Sequence, residues 1–122
     1  MKVIIAGGRD YVWLVRDYGF LDDLAASSKA SGNPIEEVVS GGATGADTFG
    51  EAWATDNLIP IKRFLPDWKT HGRSAGPKRN RQMAEYVGEH GLCILFPGGK
   101  GTASMESEAK RVGMRIVKYP TT

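Results

Sequence analysis

The sequence predicts an α/β fold, a parallel sheet of about five strands with helices on both faces. Three observations carry this. Short β-rich runs alternate with helical patterns, the strand–helix–strand rhythm that builds parallel sheets. Three of the runs end in glycine pairs, and right-handed crossovers place all strand C-termini on one edge of such a sheet. The 122 residues are 41% hydrophobic and 25% charged, the profile of an ordinary globular protein. That length favours one domain over 1–122, long enough to bury a core without staples.

The elements follow in order. The first strand is Lys2–Ala6, whose apolar stretch is too short for a signal peptide. A helix over Val15–Ser31 stops before the breaker pair Asn33-Pro34, and a strand follows at Glu37–Ser40. Next come a helix over Ala46–Asn57 and a strand over Ile59–Phe64. Pro66–Gly76, "PDWKTHGRSAG", is a long connection full of breakers, either a plain surface excursion or a functional loop. The next helix is Pro77–Glu89, with proline in the first turn, where it is tolerated. A strand at Gly91–Phe96 holds Cys93, the single cysteine, which reads as a small core residue. A helix over Ala103–Gly113 and a strand at Arg115–Lys118 complete the pattern.

Several function classes drop out. No apolar run approaches the ~18 residues of a membrane span, so no membrane partner is expected. Cysteine usage suits the cytoplasm. Two histidines and one cysteine, far apart, give no metal-ligand spacing, and no cofactor is expected. Trp13 and Trp53 fall on or beside helical patterns and read as packing.

The net charge of +2 hides an uneven distribution. Lys62, Arg63, Lys69, Arg73, Lys78, Arg79 and Arg81 face only Asp67 within twenty residues, a local +6. The remainder has nine basic and thirteen acidic residues, a balance of −4. The segment is either a solvated basic loop and helix start or an anion site, for phosphate or a nucleic-acid backbone.

The glycine loops sharpen this. "VIIAGGRD" supplies Gly7 and Gly8, "VVSGGATGAD" supplies Gly41, Gly42 and Gly45 after Ser40, and "ILFPGGKGT" supplies Gly98, Gly99 and Gly101 after Pro97. One loop of this kind is a tight turn. Three on one edge point to a phosphate-bearing ligand, because glycine lets backbone N–H groups approach an anion at a helix start. Neither the G-x-x-x-x-G-K-[ST] spacing nor G-x-G-x-x-G is met, so this is no Walker loop or dinucleotide fingerprint. Arg9 and Lys100 are candidate phosphate partners, and Arg9 has the planar fork that suits bidentate contact. Arg79, near a helix start, implies an anion there. Asp47 is either a first-turn acid favoured by the dipole or a ribose or catalytic carboxylate, and Glu51 one turn on shares its face. Asp10 follows Arg9 and is a candidate to pair with it. Trp68 is either a loop anchor or a base-stacking platform. His71 reads as a surface histidine.

"SGGATGAD", "DWKTHGRSAGPKRNRQM" and "FPGGKGT", in this order across nearly the whole chain, resemble the SLOG superfamily. That group contains the Lonely-guy nucleotide phosphoribohydrolases and the DNA-processing protein DprA/Smf. The resemblance is nearest to its small YspA/YpsA-related branch of bacteria and phages. It implies a Rossmann-like fold and a pocket for a nucleotide or nucleotide derivative. By motif position it assigns phosphate and sugar contacts to Gly41, Gly42, Thr44, Gly45, Gly98, Gly99, Gly101 and Thr102. "RNRQM" matches the phosphoribohydrolases' "RKxxM", which places Arg79 at their catalytic arginine and Asn80 at the lysine. Those enzymes read "PGGxGTxxE". Here Met105 stands at the glutamate position and Glu106 is one residue late, about 100° around a helix. Any catalysis then falls to Arg79 with Asp47 or Glu51. Three functions follow: a module that senses or sequesters a nucleotide-derived ligand, a nucleoside 5′-monophosphate N-glycosidase, and a single-stranded nucleic-acid binder. Members of the superfamily often self-associate, so a homodimer is a further expectation.

Overall fold

Five strands form one all-parallel sheet in the computed structural model, which describes residues 1–119. They are β1 (Lys2–Ala6), β2 (Glu37–Ser40), β3 (Ile61–Arg63), β4 (Leu92–Leu95) and β5 (Arg115–Lys118), ordered β3-β2-β1-β4-β5. The helices are α1 (Val15–Ala30), α2 (Ala46–Asp56), the one-turn α3 (Trp68–His71), α4 (Ala75–Val87) and α5 (Lys100–Arg111). The chain winds from β1 outward to β3, then returns past β1 to place β4 on its other side. The point of reversal lies between β1 and β4, where open α/β sheets leave a crevice for ligands. The architecture is Rossmann-like, as the sequence predicts.

The two faces of β1 build two cores. Val3 and Ile5 pack with Leu21 of α1 and Phe49 and Trp53 of α2. Ile4 and Ala6 pack with Met83 of α4 and Met105 and Ala109 of α5. Covered on both sides, β1 and β4 carry continuous apolar runs instead of an alternating pattern. Trp53 is fully buried and satisfies its indole by donating to Asp22 Oδ1 at 2.9 Å. Trp13 stacks on Phe49, so both tryptophans are packing residues. Cys93 lies in the second core, and burial pushes its thiol up to about 12, which makes it inert.

The element boundaries differ from expectation at instructive places. The third strand is Ile61–Arg63, shorter than Ile59–Phe64, because it is an edge strand and β2 ends opposite it at Ser40. The fourth is Leu92–Leu95 within the expected Gly91–Phe96, although the Phe96 N–H still reaches the Ala6 carbonyl at 2.9 Å. The first two helices end one residue early, at Ala30 and Asp56. Helix α4 starts at Ala75 and ends at Val87, where Gly88 adopts φ 74°. Helix α5 starts at Lys100 with Gly99 as its cap, three residues ahead of Ala103, and ends at Arg111. The long connection is partly helical. Asp67 caps α3 by accepting the Thr70 N–H at 3.1 Å, Gly72 ends it at φ 53°, and a 3₁₀ turn at Gly72–Ser74 runs into α4. Among the described residues, no helix is long and apolar enough to cross a membrane.

Candidate functional site

The three glycine loops meet on the C-terminal edge of the sheet and are stitched together. The Gly8 N–H donates to the Pro97 carbonyl at 2.8 Å, and the Ala46 N–H donates to the Gly8 carbonyl at 3.1 Å. Thr44 Oγ1 donates to the Arg9 carbonyl at 3.0 Å. Gly45 combines φ 72° with a site where any side chain would run into the Gly8 and Arg9 backbone. Part of the glycine signal is therefore loop-to-loop packing, and the Gly8 N–H in particular is already used. The free donors lie elsewhere. In the first turn of α5, the Lys100, Gly101 and Thr102 N–H groups have no partner among the described residues.

Between these loops and the start of α4 lies a cavity of about 500 Å³. It is lined by Gly7, Gly8, Arg9, Gly41, Asp47, Trp68, Arg79, Asn80, Gly99, Lys100, Gly101 and Thr102 of the predicted site residues. Gly42 and Thr44 line an adjoining hollow, and Pro97 and Gly98 line a third beside Glu106 and Lys118. Ser40, Gly45 and Glu51 line none of these. The sequence reading did not single out Arg73 among its basic neighbours, and it missed Ser104 in the main cavity and Leu65 in the adjoining hollow. Arg73 lay within the basic segment, the one signal that pointed to it. Leu65 carried none.

Arg79 is the best-fixed cation. Its Nη1 donates to the Gly41 carbonyl at 2.6 Å and to Phe64 O at 3.4 Å, and its Nε donates to Asn80 Oδ1 at 2.9 Å. Asn80 is 5% exposed and fully engaged, for its Nδ2 also reaches Ser104 Oγ at 3.1 Å and Gly101 O at 3.3 Å. Arg79 was expected in the first helical turn. Because α4 begins at Ala75, it sits one turn further in, so burial rather than the helix dipole is what disfavours its charge. Desolvation lowers its pKa against the attraction of Asp47, yet no carboxylate lies within salt-bridge distance among the described residues. Arg9 spreads its guanidinium over Trp68 at 5.6 Å from the ring centre and makes no ion pair with Asp10.

The carboxylates divide sharply. Asp47 is 6% exposed on the first turn of α2 and faces the cavity. Burial pushes its carboxyl up, against the Ala43 N–H at 3.1 Å and the fields of Arg79 and Arg9. Glu51, expected to share its face, turns away toward the edge strand. It accepts from Ser40 Oγ at 2.7 Å and from Arg63 Nε at 2.8 Å. Burial acts to raise the Glu51 carboxyl, and these bonds outweigh it and hold it low. Ser40 Oγ in turn accepts the Gly42 N–H at 3.1 Å, so the trio props the second glycine loop. Glu106 is held by Lys118 at 2.8 Å and Lys110 at 3.3 Å, outside the main cavity, while Met105 lines it and is 1% exposed.

The basic segment does not act as one unit. Arg63 is committed to Glu51, and Arg81 lies 3.9 Å from Glu85. Lys62 lies over the Phe64 and Tyr86 rings, and Lys78 meets His71 Nδ1 at 3.2 Å. Only Arg73 and Arg79 of the segment face the cavity, where Arg9 and Lys100 join them. Four cations thus line a cavity that holds a single acid, Asp47.

No solved structure gives a significant match to this chain. The Gene 61 protein of Mycobacterium phage D29 is 33% identical over a 126-position alignment, covering 97% of this chain and 95% of that protein. The family model for YAcAr, the YspA, cpYpsA-related SLOG family, matches residues 1–71, which include the first two glycine loops, Asp47 and Trp68. The family model covers more than half of the chain and the fold agrees with it: the chain belongs to the YspA, cpYpsA-related SLOG family.

Proposed function

We propose that this chain binds a nucleotide or nucleotide-derived phosphorylated ligand in the main cavity, as a sensor or sequestering module. The observation that carries this reading is the charge imbalance of the cavity: Arg9, Arg73, Arg79 and Lys100 against one buried carboxyl. A phosphate at the first turn of α5 meets unpartnered N–H groups and the positive end of the helix dipole. Arg79, without a carboxylate partner, supplies charge, and Asn80 holds it in place. Trp68 offers an aromatic face. Binding without cleavage is favoured because Met105, an apolar residue, lines the cavity where the related phosphoribohydrolases carry a glutamate.

Asp47 supports a second reading. Its carboxyl faces the cavity and is pushed up, a property useful in a general acid. In an N-glycosidase of nucleoside 5′-monophosphates it would protonate or steady the departing base while Arg79 anchors the phosphate. One experiment separates the two. Native mass spectrometry of the purified protein and calorimetry with the four common nucleoside 5′-monophosphates read binding, and chromatography of the same mixtures reads free base. Binding without base release is the expected result. Release that Asp47→Asn abolishes would establish the second reading, and no phosphorylated ligand binding at all would reject both.

A further inference from the structure

The main cavity does not end at Arg79. A second hollow of about 410 Å³ opens beside it and shares Arg9, Gly41, Ala43, Trp68 and Arg79 as a common wall. Its chemistry differs from that of its neighbour. Beyond the shared wall it is lined by Leu65 and Pro66 together with the Gly42–Thr44 loop, and it contains no carboxylate. Leu65 is 67% exposed and Trp68 is 48% exposed, so two large apolar side chains stand in solvent three residues apart. The next nearest exposed apolar residues in sequence, Leu58 and Tyr86, line neither hollow.

Leu65 packs on the loop beneath it. Gly42 adopts φ 72°, and a Cβ there would lie 2.5 Å from Leu65 Cδ2. Leu65 Cδ2 thus occupies the space that a side chain at position 42 would need. On the other side, Arg9 lies over the Trp68 ring and Arg79 is pinned to Gly41 O. The hollow therefore has an apolar pair at its rim and two guanidinium groups where it joins the main cavity.

The geometry points to this second hollow as a subsite for a planar heterocyclic base, set between Leu65 and Trp68, of the ligand whose phosphate occupies the main cavity. The inference rests on the proposed phosphate site and adds where the rest of the ligand lies. A flat π-system suits the space because its faces stack on an exposed indole and an aliphatic side chain, while the Gly42–Thr44 loop and the two guanidinium groups offer polar partners at its edge. Arg9 and Arg79, on the shared wall, then lie between base and phosphate and serve both. We take the occupant to be part of a small molecule because the hollow adjoins the cation-lined cavity and shares five lining residues with it.

The test is a ratio of affinities. Calorimetry compares ribose 5-phosphate with the tightest-binding of the four common nucleoside 5′-monophosphates, for the natural protein and for Leu65→Ser. Leu65 is solvent-exposed, so the variant retains its fold, which circular dichroism checks. The natural protein is expected to prefer the nucleotide by about fivefold or more, the size of one stacking contact. In Leu65→Ser, which keeps the indole but loses the apolar side chain opposite it, this ratio falls by about twofold or more. If ribose 5-phosphate binds as well as every nucleotide, or if the ratio survives in Leu65→Ser, the base subsite is wrong while the phosphate site stands. If neither compound binds, the phosphate site itself fails, and this inference with it.

Discussion

Arg79 reaches across 38 residues of sequence to place its Nη1 2.6 Å from the Gly41 carbonyl oxygen. The contact joins α4 to the loop after β2, over the C-terminal edge of the sheet. A guanidinium held by carbonyl oxygens keeps its full positive charge, because those partners are dipoles and not anions. Removing it should therefore affect charge recognition first. Arg79→Ala is expected to weaken a phosphorylated ligand by about tenfold or more, the size of a charge-assisted hydrogen bond. Its dephosphorylated analogue should lose much less. Equal losses by calorimetry would assign Arg79 a structural role.

Asn80 ties three groups with one amide. It accepts from Arg79 and donates to Ser104 and the Gly101 carbonyl, which bridges α4 to the start of α5. Alanine there leaves these partners without a replacement in a site that is 5% exposed. Asn80→Ala should lower unfolding free energy by about 1–3 kcal/mol in urea denaturation. Asn80→Asp should recover little of this, since a carboxylate can accept from Arg79 but cannot donate to Gly101 O or Ser104 Oγ. A variant as stable as the natural protein would show that the bridge carries no net stability.

Much of the fold was legible because its signals are local. β-rich runs, breakers and glycine pairs each report their own segment, and the parallel architecture follows from their alternation. The lining of the candidate cavity was legible where motif and edge coincide, as at Gly41, Arg79 and Lys100. It was not legible where a side chain's direction decides. Asp47 and Glu51 are one helical turn apart, yet the first faces the cavity and the second pairs with Arg63 on the edge strand. Spacing on a helix cannot report which neighbour a carboxylate will meet. Leu65 escaped for a similar reason. An apolar residue before a proline reads as the end of a strand, and only the folded chain shows that it lines the adjoining hollow.

Asp47 makes stability fall with pH in a definite direction. Its folded pKa lies above the value of 3.8 for an unperturbed aspartate, because burial opposes ionisation. The folded state therefore holds its proton more tightly, and the stabilisation is fully present below the unfolded value. It is lost as pH rises through the folded value, above which keeping the ionised carboxylate buried costs stability. Asp47→Asn keeps an oxygen for the Ala43 N–H and removes that cost. The variant should be as stable as the natural protein or more so at pH 7, with the gap narrowing toward pH 4. Urea denaturation at the two pH values reads the difference. A variant less stable at pH 7 would mean that the attraction between Asp47 and Arg79 outweighs burial.

Two alanine substitutions at glycines should fail in different ways. At Gly45 the backbone has φ 72°, and a Cβ would meet the Gly8 and Arg9 main chain. Both the strain and the clash act on the backbone, so Gly45→Ala should cost about 1 kcal/mol or more of stability. At Gly41 the obstacle is different. A Cβ there would lie 2.5 Å from Arg79 Nη1 and 2.9 Å from Asp47 Oδ2, both side-chain atoms at the cavity wall. The guanidinium can swing aside, which gives up its bond to the Gly41 carbonyl but leaves the sheet intact. Gly41→Ala should therefore lose phosphate affinity to nearly the extent of Arg79→Ala while unfolding close to the natural protein in urea. Urea denaturation and calorimetry on both variants decide it. The pairing is wrong if Gly41→Ala unfolds as readily as Gly45→Ala, or if it binds a phosphorylated ligand as tightly as the natural protein.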